Sequence, residues 1–163
     1  MESTVYSANV LAAIASVAVA IAGFSGVVVA LTGKTTDTYR QTERLNLRIL
    51  LQVSALAVLF SLLPLILHRA LEPSVAWRTA MLLYGFAHLA DAGFFTFKTG
   101  RLSSPSRVQL LAPWAGVTIA VVQVLLGLFG PIGWVEVGYL LVLIWHLGIA
   151  GMGFANLIFA SHG

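Results

Sequence analysis

Residues 76–97 read AWRTAMLLYGFAHLADAGFFTF. As an α-helix rising about 1.5 Å per residue, the run is long enough for the ~30 Å hydrocarbon core of a bilayer. After Arg78 the only ionisable groups of unambiguous type are His88 and Asp91, and both fall near the middle. Hydrocarbon cannot solvate such groups, so each must find a partner, neutralise or serve a purpose there. The stretch therefore predicts a transmembrane helix with a polar centre.

Working outward, four more apolar runs appear, so the spans lie at about 8–31, 49–67, 76–97, 108–129 and 135–159. Each meets or approaches the ~20 residues that a spanning helix needs. Gly130-Pro131-Ile132-Gly133 separates the last two, because proline and glycine punctuate a helical pattern. The predicted fold class is all-α: a polytopic transmembrane helical bundle of five spans, with residues 1–163 forming one transmembrane domain.

Composition agrees. The 163 residues are 59% hydrophobic and 9% charged, whereas soluble domains carry about 25% charged residues. Cysteine is absent, which excludes disulfides, thiolate metal sites and thiol nucleophiles together. The formal charge of +3 does not read as a nucleic-acid surface, because the basic residues follow topology. Lys34, Arg40, Arg44, Arg48, Lys98, Arg101 and Arg107 lie in the loops after spans one and three. Only Arg69 and Arg78 lie on the opposite side. Cytoplasmic loops carry the excess of Lys and Arg, so the amino terminus is expected outside and the carboxyl terminus in the cytoplasm. The expected location is the plasma (inner) membrane of the cell. Glu2 and the length of the first apolar run argue for a retained helix over a cleavable leader.

Thr38 and Gln41 form a weak capping-box pattern, after which Arg40, Arg44 and Arg48 repeat every fourth residue and share a helix face. They are expected to extend the second helix as ordinary anchors, and as partners they imply membrane lipids with anionic headgroups. The first span carries Ala12, Ser16 and Ala20, then Ala18, Ala22 and Gly26, with Gly23 nearby; the fifth carries Gly148, Gly151 and Gly153. Small residues at such spacing let helix backbones approach closely in lipid. These two helices are therefore expected to pack tightly, against each other or in a homo-oligomer or larger membrane complex. Trp77, Trp114 and Trp134 sit near span ends, where aromatic rings favour the interface. Arg69, Glu72 and Arg78 are expected to pair around the loop between spans two and three.

On the third span Tyr84, His88, Asp91 and Phe95 follow a 4-3-4 spacing and share one stripe. On the fifth, Tyr139, His146 and Gly153 repeat every seventh residue. At about 1.5 Å per residue His88 lies ~18 Å into its span and His146 ~16 Å into its own, both near the bilayer midplane. His88, Asp91 and His146 are thus candidates for one buried polar centre. Tyr84, Gln123 and Asn156 are the neutral polar groups expected to line it.

Three readings of this centre stay open. It is a proton- or ion-linked transport site, since Asp and His chains mark such relays. It is a structural device of an accessory membrane subunit, holding helices together by hydrogen bonds. Or it is redox-active: two mid-membrane histidines near Gly85, Gly93, Gly148 and Gly151 resemble the way b-type haem is clamped in membrane four-helix bundles. That resemblance implies haem b with His88 and His146 as axial ligands. No metal site is expected, because a fourth ligand is missing. No nucleophile, base and oxyanion donors line up for hydrolysis, so the residues lean away from an enzyme and leave the question open.

Overall fold

The computed structural model describes residues 2–32, 41–101 and 107–160. They form five helices: α1 (Glu2–Thr32), α2 (Gln41–Leu67), α3 (Pro73–Thr99), α4 (Arg107–Phe129) and α5 (Ile132–Ala160). Each contains a segment long and apolar enough to cross a membrane, at Ala8–Val28, Leu47–Leu67, Pro73–Thr99, Leu110–Phe129 and Ile132–Asn156. The turn expected at Gly33-Lys34, the capping pattern from Thr38, and Arg40 lie outside the described residues. Arg44 and Arg48 fall within α2, so the polar stretch does extend the second helix.

Local chemistry sets the boundaries. After α2 the chain tightens, with His68 donating to the Pro64 carbonyl and Leu71 to that of Leu67, both at 2.9 Å. Pro73 at the first helical position then starts α3, where its missing N–H costs nothing. Gly100 closes α3 by donating to Thr96 O at 3.1 Å. The Gly-Pro break works as expected: Gly130 N–H ends α4 on Leu126 O, and Pro131 O accepts from Trp134 and Val135 at the start of α5.

The helices are inside-out relative to a soluble protein. Many large apolar side chains are exposed, led by Phe129 at 80% and Leu111 and Trp134 at 67%. The buried set includes His88, Asp91, Gln123, His146, Ser25, Ser54 and Ser61. Water would penalise that exterior, whereas lipid rewards it and forces polar groups inward.

The chain divides into two compact units: Met1–Leu62 with Leu143–Gly163, and Leu63–Val142. In the first, α1 buries Leu11, Ile14, Ala18 and Ser25, α2 buries Leu50, Val53, Ser54 and Ala57, and α5 buries Leu143, His146 and Ala150. These are helical spacings, one stripe per element. Gly153 meets Leu50, where an added Cβ would lie 3.2 Å from the leucine Cβ. Ser25 and Ser61 satisfy their hydroxyls on the carbonyls four residues back, at 2.6 Å each.

The second unit is built on α3 packed against α4. The two run antiparallel: Ala92 faces Gly116, Gly85 faces Gln123 and Val124, and Leu82 faces Gly127. The approach is close enough that a methyl on Gly85 would come within 2.9 Å of Val124 Cγ2. Among the glycines singled out on the first and fifth spans, Gly153 is the one that meets another helix, through Leu50 of α2. Gly23, Gly26, Gly148 and Gly151 have nothing within 4 Å of where a Cβ would stand. Spacing identifies residues small enough for contact, but the neighbour that faces them decides whether contact occurs.

Candidate functional site

The buried stripe of α3 runs Trp77, Met81, Tyr84, His88, Asp91 or Ala92, Phe95 and Thr99. Its spacing alternates near three and four, so one face of the helix is turned inward along its whole length. The facing stripe of α4 is Gly116, Ala120, Gln123, Gly127, again 4-3-4 and again buried. Three of those four residues are Gly or Ala, which leaves Gln123 as the one long polar side chain able to cross the interface.

His88 and Gln123 form the centre. His88 Nδ1 donates to Gln123 Oε1 at 2.7 Å, joining α3 to α4. With Nδ1 protonated, Nε2 of a neutral ring holds the lone pair. The Gln123 amide nitrogen points to Met81 Sδ at 3.9 Å, a weak acceptor. One amide therefore bridges two residues of α3 that lie seven positions apart. His88 is 3% exposed and Asp91 9%, the latter one turn further along the same face.

Aromatic rings fill the half of α3 on the other side of His88. Tyr84 stacks on His88 with centroids 6.2 Å apart and 30° between planes. Tyr139, from the first turns of α5, meets Tyr84 edge-on at 5.4 Å and Trp77 at 5.5 Å. His68, in the turn after α2, meets Trp77 edge-on at 5.6 Å. The rings make an unbroken column from that turn to the centre of the helix. Trp77 was expected at the membrane interface with Trp114 and Trp134; those two are exposed, but Trp77 is buried in this column.

Arg78 closes the same end. Its guanidinium donates to Gly127 O at 3.0 Å and to Gly130 O at 2.8 Å. Those carbonyls belong to the last turn of α4 and the residue beyond it, where no helical N–H remains to satisfy them. A cation there also meets the negative end of the helix dipole. Arg78 was expected to pair around the loop with Arg69 and Glu72; it reaches across to α4 because unsatisfied carbonyls in a low-dielectric setting are stronger partners than a solvated carboxylate.

Comparison of the chain with known protein families, curated proteins and solved structures finds no match. The residues themselves carry the reading.

Of the six residues expected at the centre, Tyr84, His88, Asp91 and Gln123 occupy one unit, with the first three on one face of α3 and Gln123 bonded to His88 from α4. His146 belongs to the other unit and is buried there at 1% exposure. Asn156 is exposed. Met81, Trp77 and Tyr139 complete the lining of His88 and its column and were not among the six. Among the described residues no three His, Asp or Glu side chains gather as a metal-binding group. Haem ligation by His88 would use Nε2, but a Cβ on Gly116 would stand 3.5 Å from that atom. The α4 backbone thus lies where a macrocycle would have to enter, and this arrangement of His88 does not fit the group.

Proposed function

We propose that this chain is a small integral membrane protein carrying proton- or ion-linked transport through the site on α3 and α4. The observation that supports the reading most is the His88–Gln123 bond with Asp91 one turn away, all buried in helices whose outer surfaces are Val, Leu and Phe. A carboxylate is costly at such depth, and interhelical hydrogen bonds average only about 0.6 kcal/mol. Packing alone therefore gives little reason to keep Asp91, whereas a group that takes up and releases a proton gives a good one.

In this reading the amino terminus is outside and the carboxyl terminus cytoplasmic, in the plasma membrane, following the seven basic residues in two loops against two elsewhere. The ring column of His68, Trp77, Tyr139 and Tyr84 then occupies the outer half of α3 and blocks water from that side. Asp91, the more exposed member of the site, is the side from which protons exchange. Alternating access normally uses two related halves, so a chain of this size acts as several copies or as a subunit of a larger complex.

The rival reading is a structural lock, and the amide of Gln123 bridging two turns of α3 favours it. Proton flux into liposomes holding a pH-sensitive dye separates the two. Transport expects flux above empty vesicles for the native chain, a fall to the empty-vesicle level in Asp91→Asn, and a partial fall in Gln123→Leu. Flux that Asp91→Asn leaves unchanged removes the transport reading and leaves the lock.

A further inference from the structure

The last turns of α3 carry a feature that the polar centre does not use. Phe97, Lys98 and Arg101 follow Phe94 by three, four and seven positions; Phe94, Phe97 and Lys98 share one face at the end of α3, and Arg101 lies two residues past its last residue, Thr99. Lys98 Nζ stands 5.5 Å over the Phe94 ring and Arg101 Cζ 3.9 Å over the Phe97 ring. Phe97 is 56% exposed, and both cations are exposed. Each cation follows its ring by four residues in the chain. The patch is therefore graded, with apolar rings toward the middle of the span and two positive charges at its end.

We propose that this patch is a binding site for an anionic phospholipid, with the phosphate seated between Lys98 and Arg101 and an acyl chain lying along Phe97. Ordinary anchoring residues extend away from the helix to reach water. These two fold back over rings, which holds them at the depth where acyl chains meet headgroups and lowers the entropy lost on binding. Contact with the ring engages the cation electrostatically and consumes none of its N–H donors. A guanidinium in that position presents a planar fork that matches two phosphate oxygens. The C-terminal dipole of α3 already favours positive charge at this end, so the site is populated by cations before a lipid arrives. Zwitterionic lipids offer the same acyl chains but no net charge, so the site selects by headgroup.

Electron spin resonance with spin-labelled lipids tests this. The protein is reconstituted in phosphatidylcholine, and the motionally restricted fraction of labelled phosphatidylglycerol is compared with that of labelled phosphatidylcholine. The expected result is a preference for the anionic lipid that falls about fivefold for each cation removed, in Lys98→Gln and Arg101→Gln. Phe97→Leu, which keeps the apolar area, is expected to weaken the preference without abolishing it. Helix content and melting in each variant establish that the fold is intact. Equal restriction of both lipids by the native protein overturns the proposal. So does a preference that survives Lys98→Gln with Arg101→Gln but disappears in Arg44→Gln with Arg48→Gln. Inorganic phosphate is expected to leave the preference unchanged; its loss at equal ionic strength would identify a soluble phosphate as the ligand and overturn the lipid assignment.

Discussion

Gly85 and Gly127 on the α3–α4 contact and Gly23, Gly26, Gly148 and Gly151 on α1 and α5 are the same residue type in helices that are all apolar enough to span a membrane, yet their surroundings differ. The first two stand against side chains of the opposite helix, while nothing within 4 Å faces the other four. Polar groups divide in a related way. On α3 and α4 the buried histidine and glutamine bond each other across helices. In the other unit Ser25 and Ser61 return to their own backbones, and the buried Ser54 hydroxyl has no hydrogen-bond partner among the described residues. The unit of α3 and α4 is specified by contacts between elements; much of α1 is specified by its own helix and by the lipid around it.

The sharpest way to break this comparison is to enlarge the glycines. Gly85→Leu is expected to cost about 3 kcal/mol or more, because its branches must enter Val124. Gly23→Leu and Gly151→Leu are expected to stay within about 0.5 kcal/mol. Thermal melts in detergent give the order. A large loss in Gly151→Leu with a change in particle mass would assign that face to a contact between copies. Next, Arg78→Ala is expected to cost about 1–2 kcal/mol by stripping two carbonyls of their donor. Arg78→Lys should recover part of this, since an ammonium lacks the two-pronged reach. Hydrogen exchange that speeds up around residues 127–135 in Arg78→Ala would locate the effect.

Gln123→Leu is smaller, about 0.6–1.7 kcal/mol, the range of interhelical hydrogen bonds in membranes. Nitrogen-15 spectra of labelled histidine are expected to show His88 protonated at Nδ1 and to lose that preference in the variant. The smallest effect is Ser54→Ala. Removing a buried hydroxyl that lacks a partner is expected to be neutral or to raise stability by up to about 1 kcal/mol. A clear loss of stability there would show that the hydroxyl is engaged in the membrane.

Much of this was readable from residue order. Apolar run length located the five helices, because the bilayer imposes it directly. The 4-3-4 spacing of Tyr84, His88, Asp91 and Phe95 marked the face of α3 that is in fact buried. The matching spacing of Gly116, Ala120, Gln123 and Gly127 was equally visible, and it points to Gln123 as the group that crosses. What spacing could not supply is register. Whether His88 meets Gln123, or Gly85 meets Val124, depends on how far α4 slides along α3. That is set by side-chain shape summed over the whole contact. The contact of Trp77 with Tyr139 was illegible for the same reason, since Tyr139 is far away in sequence and only packing brings the two rings together.

The proposed transport requires Asp91, beside His88, to take up and release a proton from within the membrane. Infrared difference spectroscopy of the reconstituted protein across a pH jump observes this directly. The expected result is a carboxylic-acid band that grows on acidification, disappears in Asp91→Asn and shifts in His88→Ala. A spectrum without such a band, or with one that Asp91→Asn leaves in place, would contradict the account.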